Sequence, residues 1–189
     1  MQPVPFSRGE KVYLRTIYQE DIAKYFEMLF QPETRRLTGS QKSFTLRQVE
    51  QYIEEKNTDS SSILLLIALN ENDVVIGDIQ LLEIDNINRN CYIRIAIDNQ
   101  SYQGKGYGSE AMKLMLEYAF GILNLHRIEL NVFAYNKRAI HVYERLGFQK
   151  EGIQRDALYY DHAYHDSIIM SILEEEYRDR YIREQHVQK

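Results

Sequence analysis

The sequence predicts an α/β protein in the mixed α+β sense: one central sheet of parallel and antiparallel strands, flanked by helices, in a single domain over residues 1–189. Three observations predict it. Apolar positions alternate with period two in some stretches and recur with helical spacing in others, in the order β-α-α-β-β-β-α-β-α-β-β. A glycine-rich turn, Gln103-Gly104-Lys105-Gly106-Tyr107-Gly108, joins a strand pattern to a helix pattern in mid-chain. The 189 residues, 44% hydrophobic and 27% charged, have the composition of one ordinary globular core.

Lys11 to Ile17 alternates like a first strand, and Glu20-Asp21 opens an amphipathic helix through about Leu29, which Pro32-Glu33-Thr34 interrupts. Thr45 precedes a second helix, with Val49, Tyr52 and Ile53 at core spacing and Glu54, Glu55 and Lys56 outside. After a polar loop from Asn57 to Ser62, Ile63 to Leu69 is a nearly continuous apolar strand. Asn70-Glu71-Asn72-Asp73 is a hairpin signal, and Val74 to Ile84 returns, with Gly77 marking a close backbone approach. Asp85 to Asn90 turns into Tyr92 to Ile97, the strand that delivers the glycine-rich turn. Ser109 to Gly121 follows as a helix buried along Ala111, Leu114, Met115, Tyr118 and Ala119. His126 to Phe133 is a strand, Lys137 to Leu146 a helix, Phe148 begins a strand and Ser167 to Ile172 closes the sheet. The charged Glu174 to Arg180 segment reads as a solvated helix.

A net charge of −5 with no basic stripe argues against a nucleic-acid binder. The single cysteine, Cys91, cannot close an internal disulfide, and no metal-ligand cluster surrounds it, which fits a reducing cytoplasm. Met1 to Gly9 lacks the apolar centre of a signal peptide, and no apolar run approaches ~18 residues, so no membrane span is expected. The 15 tyrosines suit polar clefts and subunit contacts, which leaves a homo-oligomer open.

Alternate glycines leave the amides of the turn unscreened, and the following helix directs its positive end to the same place, which makes an anion cradle with Lys105 adding charge. Two familiar phosphate motifs fail on spacing. A P-loop needs Lys followed by Ser or Thr, and Lys105 is followed by Gly106; a dinucleotide fingerprint needs a glycine at 109, which is Ser109.

The spacing Gln103, Gly106, Gly108 is the form Gln/Arg-x-x-Gly-x-Gly/Ala, and it resembles the pyrophosphate loop of the GNAT superfamily of acetyl-CoA-dependent N-acetyltransferases. Downstream, the stretch from Asn136 to Phe148 resembles the family's Asn-x-x-Ala-x-x-x-Tyr-x-x-x-Gly-Phe segment through Asn136, Ala139, Tyr143, Gly147 and Phe148. The resemblance implies a central mixed sheet whose two parallel strands splay apart, with acetyl-CoA entering the gap and the first two helices framing the acceptor cleft. It implies an acyltransferase that moves an acetyl group directly to a primary amine in a ternary complex, with no metal. By the same resemblance the backbone of Ile95, Ala96 and Ile97 holds the pantetheine arm, and residues Gln103, Gly104, Lys105, Gly106, Tyr107, Gly108 and Ser109 hold the pyrophosphate. Asn136, Lys137, Ala139 and Arg145 complete the cofactor set, although Asn136 also reads as a helix N-cap.

Acetyl transfer to an amine needs a held thioester, a neutral amine, a stabilised oxyanion and a proton for the leaving thiolate. Tyr143, seven residues beyond Asn136, matches the family's proton donor to sulfur. Glu83 is the first candidate for the base. Tyr92 and Arg94, on one face of their strand with Ala96, are candidates for the acceptor site. Many relatives carry a glutamate at or near Tyr92, and its absence leaves the base open.

From Ile79 to Tyr177 the chain is especially similar to bacterial spermidine/spermine N-acetyltransferases, through Glu83-Ile84, Tyr102 to Gly106, Leu123-Asn124-Leu125 and Ala139 to Tyr143. Where those enzymes carry an acidic segment after the first helix, this chain has Arg35 to Lys42, which would repel a polyamine. Arg94 favours an amine bearing a carboxylate or phosphate. The acceptor therefore stands as a small amine, polyamine-like or anionic. Protein N-terminal acetylation of the ribosomal-protein alanine type is an alternative, and a non-catalytic acyl-CoA-binding module is an alternative from another class.

Overall fold

The structure, a computed structural model, describes residues 3–183. Its strands are β1 (Ser7–Arg8), β2 (Val12–Arg15), β3 (Ile63–Leu69), β4 (Val75–Asp85), β5 (Asn90–Ile97), β6 (Arg127–Phe133), β7 (Gln149–Tyr160) and β8 (Ala163–Leu173). The helices are α1 (Ile22–Met28), α2 (Pro32–Thr38), α3 (Leu46–Thr58), α4 (Tyr107–Gly121), α5 (Lys137–Leu146) and α6 (Glu174–Arg178). The strands form one mixed sheet in the order β1-β2-β3-β4-β5-β6-β8-β7, which is the predicted fold class.

Two compact units divide the chain, one holding residues up to Leu82 together with Arg94–Met115, the other Glu83–Ile93 together with everything from Leu116. In the first unit, β2 pairs antiparallel with β3, and β3 with β4. Their apolar face meets α1 and α3 in a cluster of Ile22, Tyr25, Met28, Val49, Ile53, Leu66 and Val75. α3 starts where Thr45 and Gln48 close a reciprocal capping box, the Gln48 amide donating to Thr45 Oγ1 at 3.2 Å. Arg15 and Asp21 pin the entry to α1 by a buried two-pronged ion pair, at 2.6 and 2.8 Å.

Two short elements escape the sequence reading. Pro32 opens α2 rather than breaking a helix, because at the first helical position its missing N–H is not needed, and Gly39 in the left-handed region (φ 67°) ends the helix. Ser7–Arg8 folds back on β2 as β1.

In the second unit, the parallel pairing of β5 with β6 covers Asn90↔Arg127, Cys91↔Ile128 and Tyr92↔Glu129. It goes no further, although β5 runs on to Ile97 and β6 to Phe133, the register of splayed parallel strands. β6 pairs along its whole length with β8 instead. β7 and β8 are a long hairpin turned by Asp161 and His162, both at positive φ (52° and 64°). The tail helix is not simply solvated: Tyr177 of α6 is buried and stacks on Phe120, ring centroids 4.8 Å apart. α4 also buries Met112, Leu116 and Phe120, whereas Leu114 and Tyr118 are only half-buried.

Candidate active site

The glycine-rich turn lies in the first unit, directly ahead of α4. Gly104 and Gly106 have φ of 75° and 87°, so both positions need the left-handed backbone that glycine supplies. A β-carbon on Gly108 would make only ordinary contacts with Ile95 and Ile97, the nearest at 3.5 Å, which explains why Ala also fits the motif there. The Glu110 amide donates to the Gly106 carbonyl at 3.0 Å. The amides of Tyr107, Gly108 and Ser109 precede that bond and have no carbonyl four residues back within the helix to bond, so they are the positive end of a 15-residue helix.

One cation at this turn is absent from the sequence reading. Lys11 donates from Nζ to the Lys105 carbonyl at 3.2 Å, and Glu110 accepts from the Lys11 amide at 2.8 Å, tying the start of β2 to the helix that follows the turn. Because 94 residues separate Lys11 from Lys105, no local pattern marks it.

On β5 of the same unit, Arg94 is reached by solvent. Desolvation is nevertheless the largest single influence on its guanidinium and lowers it, while the charges of Asp78, Tyr25 and Tyr52 together outweigh that and raise it. Among the described residues Arg94 closes no ion pair.

Asp78 itself is 2% exposed on β4. It accepts from Gln80 Nε2 at 2.9 Å, and Gln80 Oε1 in turn accepts from the Tyr52 hydroxyl at 2.9 Å. Burial raises the Asp78 carboxyl, while Arg94 and Gln80 hold it back. Sequence reasoning passed over this residue, although a charge inside the apolar run Val74 to Ile79 was the signal.

The remaining predicted residues lie in the second unit. Asn136 caps α5, its side-chain oxygen accepting from the Ala139 amide at 3.1 Å. Tyr143 is half-buried on α5, tilted against Phe148 at 5.9 Å, and burial pushes its phenol up to about 12. Lys137 and Arg145 are exposed at the two ends of this helix.

Glu83 is exposed and sits at positive φ (53°), a strained backbone for a residue with a β-carbon. It stands close enough to Tyr92 that its charge, after that of Glu129 and after desolvation, raises the tyrosine's phenol. Tyr92 is therefore set among carboxylates, and Arg94 belongs to the cluster around Asp78.

This strand order, with a parallel pair that stops pairing early and a glycine turn opening the next helix, is the architecture of acetyl-CoA-using acyltransferases. The chain belongs to the GNAT acetyltransferase family: the family model of the acetyltransferase (GNAT) domain matches residues 11–149. Spermidine N(1)-acetyltransferase of Escherichia coli K12 is 37% identical over 101 residues, 53% of this chain and 54% of that protein, so the chain spans about half the length of this relative. An uncharacterized N-acetyltransferase of Bacillus licheniformis, p20, is 30% identical over 171 residues, 89% of this chain and 96% of that one. Among solved structures, the spermidine N-acetyltransferase of Vibrio cholerae in complex with CoA and spermine superposes with a TM-score of 0.82 at 26% identity, covering 88% of this chain and 97% of that one.

Proposed function

We propose that the protein is an acetyl-CoA-dependent N-acetyltransferase that moves an acetyl group directly to a primary amine in a ternary complex, within one domain over residues 1–189. The observation that supports this reading is the turn itself: two left-handed glycines lead into α4, whose first amides have no partner within the helix and suit a pyrophosphate, in a family that uses acetyl-CoA. Gln103 to Ser109 take the diphosphate, with Lys105 and Lys11 adding charge. The backbone of Ile95, Ala96 and Ile97, with Asn136, takes the pantetheine arm, and Lys137, Ala139 and Arg145 extend the cofactor contacts along α5.

Tyr143 gives its proton to the departing sulfur. A phenol pushed up by burial stays protonated at neutral pH, and so arrives at the transition state as an acid.

The acceptor is a small primary amine. Arg94, which closes no ion pair among the described residues, favours one that carries a carboxylate or phosphate beside the amine. The named substrate of the E. coli and Vibrio relatives supports a polyamine as the second reading. Thiol release from acetyl-CoA, measured with spermidine, amino acids, phosphorylated amines and short peptides, tests both. Turnover of an amine establishes the transferase, and the ranking of anionic amines against spermidine decides the acceptor; acetyl-CoA binding without turnover of any of them makes the protein a cofactor-binding module.

A further inference from the structure

The reaction needs a group to take the proton that an acceptor ammonium loses as it becomes a nucleophile. Glu83 is the residue the sequence nominates for it, but its carboxylate is exposed and grouped with Tyr92 and Glu129. A second carboxylate has the surroundings that proton transfer asks for.

We propose that Asp78 is the proton acceptor for the incoming amine, held in position by Gln80 and, behind it, Tyr52. The inference rests on the acetyltransferase reading above. Asp78 lies opposite Leu66 in the β3–β4 register, and Leu66 belongs to the cluster under α1 and α3, so the carboxylate faces that helical layer. The layer surrounds it with groups that orient rather than neutralise. Gln80 Nε2 donates to one carboxylate oxygen at 2.9 Å, and the Tyr52 hydroxyl fixes the other end of the same amide.

The titratable groups facing Asp78 are Tyr25 from α1, Tyr52 from α3 and Arg94 from β5; Lys56 stands 6.0 Å over the Tyr52 ring. Burial pushes the phenols of Tyr25 and Tyr52 upward, so neither is a base at neutral pH. That leaves Asp78 as the one group of the cluster able to accept a proton. Burial raises its carboxyl, which makes it a stronger base than an exposed aspartate, while the charge of Arg94 and the Gln80 hydrogen bond oppose that rise.

The ammonium of the acceptor, reached directly or through one water, gives a proton to the Asp78 carboxylate. The freed nitrogen pair bonds to the acetyl carbon, and the carbon–sulfur bond breaks with its pair going to sulfur. Sulfur takes the Tyr143 proton, the second proton lost by the acylated nitrogen returns through solvent to the Tyr143 phenolate, and the proton on Asp78 leaves to solvent. The products are an amide, CoA thiol and one net proton.

The test is the pH profile of kcat/KM with the best acceptor of the panel, for wild type, Asp78→Asn and Glu83→Gln. The expected result is an acidic limb in the wild type that disappears in Asp78→Asn, with the rate at the plateau lowered about 10²-fold or more and acetyl-CoA affinity within about twofold by calorimetry. A limb kept in Asp78→Asn with activity within about threefold of wild type overturns the proposal, as does a limb lost only in Glu83→Gln. If Asp78→Asn does not fold, the wild type still decides: the Asp78 carboxyl, followed by carbon NMR in labelled protein, must titrate at the pKa of the kinetic limb, and a mismatch of about one unit or more overturns the assignment. A wild type that acetylates no amine removes the transferase reading and this proposal with it.

Discussion

A β-carbon placed on Gly77 would lie 2.2 Å from the carbonyl oxygen of Ala96 and 3.2 Å from the Cα of Ile97, backbone against backbone in the first unit. The glycine therefore sets how closely β4 approaches the segment of β5 assigned to the pantetheine arm. Neither neighbour is a side chain that can swing away. Gly77→Ala is expected to cost about 1 to 3 kcal/mol of stability, read from urea unfolding. Acetyl-CoA affinity should fall with it, because the carbonyl that must move belongs to Ala96. Unchanged stability together with unchanged affinity would make the close approach incidental.

The cradle makes a separate prediction. Gly106 has φ of 87°, so Gly106→Asp adds both backbone strain and a negative charge at the turn proposed to take the diphosphate. Acetyl-CoA affinity measured by calorimetry should drop by more than tenfold, about 1.4 kcal/mol, with the fold retained by circular dichroism. Lys11→Ala should weaken binding by a smaller factor, roughly two- to fivefold, and the difference should shrink as salt is raised, since Lys11 Nζ stands at the turn but is exposed. An effect of Lys11→Ala that is the same in about 50 mM and about 500 mM salt would leave Lys11 a structural clamp on the Lys105 carbonyl alone.

Much of this was legible in the sequence, and the exceptions have physical causes. Ile63–Leu69 and Lys137–Leu146 coincide with their strand and helix residue for residue, since each is a long uninterrupted pattern with clear ends. The turn and Gly77 were legible because glycine is placed by backbone need, which is a local property. α2 was not, because a proline reads as a break unless the chain is known to start a helix at that residue. The hairpin at Asp161-His162 uses left-handed residues that are not the usual Asn-Gly pair. Asp78 and Lys11 escaped for a different reason: the groups that give them meaning, Tyr25, Tyr52 and Arg94 for one and Lys105 for the other, come from distant elements and meet only in the fold.

Arg94 carries the prediction about the acceptor. Arg94→Ala removes the guanidinium beside Asp78, so it should lower kcat/KM for amines bearing a carboxylate or phosphate by about tenfold or more. The same change should leave spermidine unaffected or improve it, because a positive charge is withdrawn from the path of a polycation. Competition assays with the two acceptor classes measure the ratio. A wild type that prefers spermidine over every anionic amine would show that Arg94 and the Arg35 to Lys42 segment do not select the acceptor.

Asp78 also makes a prediction that needs no substrate. Its carboxyl is raised in the folded protein, mainly by burial. A raised carboxyl favours the folded state most when it is protonated, below the ordinary aspartate pKa of about 4, and that favour is lost as pH rises through the folded-state value. Asp78→Asn removes the ionisation while its amide oxygen still accepts from Gln80. The melting temperature of Asp78→Asn minus that of wild type should therefore rise between acidic and neutral pH. A flat or falling difference would mean that Arg94 and Gln80 fully offset the burial of the charge.

Tyr143→Phe separates chemistry from binding. The ring stays packed against Phe148, so stability and acetyl-CoA affinity should survive the loss of one hydroxyl. What disappears is a proton donor needed as the carbon–sulfur bond breaks, so kcat should fall much more than the KM for acetyl-CoA changes. General-acid removal typically costs about 10² to 10⁴ in rate, roughly 3 to 5 kcal/mol. The basic side of the profile supplies a second readout. Burial pushes the Tyr143 phenol up to about 12, so the wild type should lose no activity to its ionisation through the neutral range. A thiol substitute that leaves as a stabler thiolate, such as an acetyl thioester of an aromatic thiol, needs less help from an acid and should narrow the gap between Tyr143→Phe and wild type. A loss of less than about threefold at saturating acetyl-CoA, with chemistry limiting turnover, would make Tyr143 a packing residue of α5 and move the acid elsewhere.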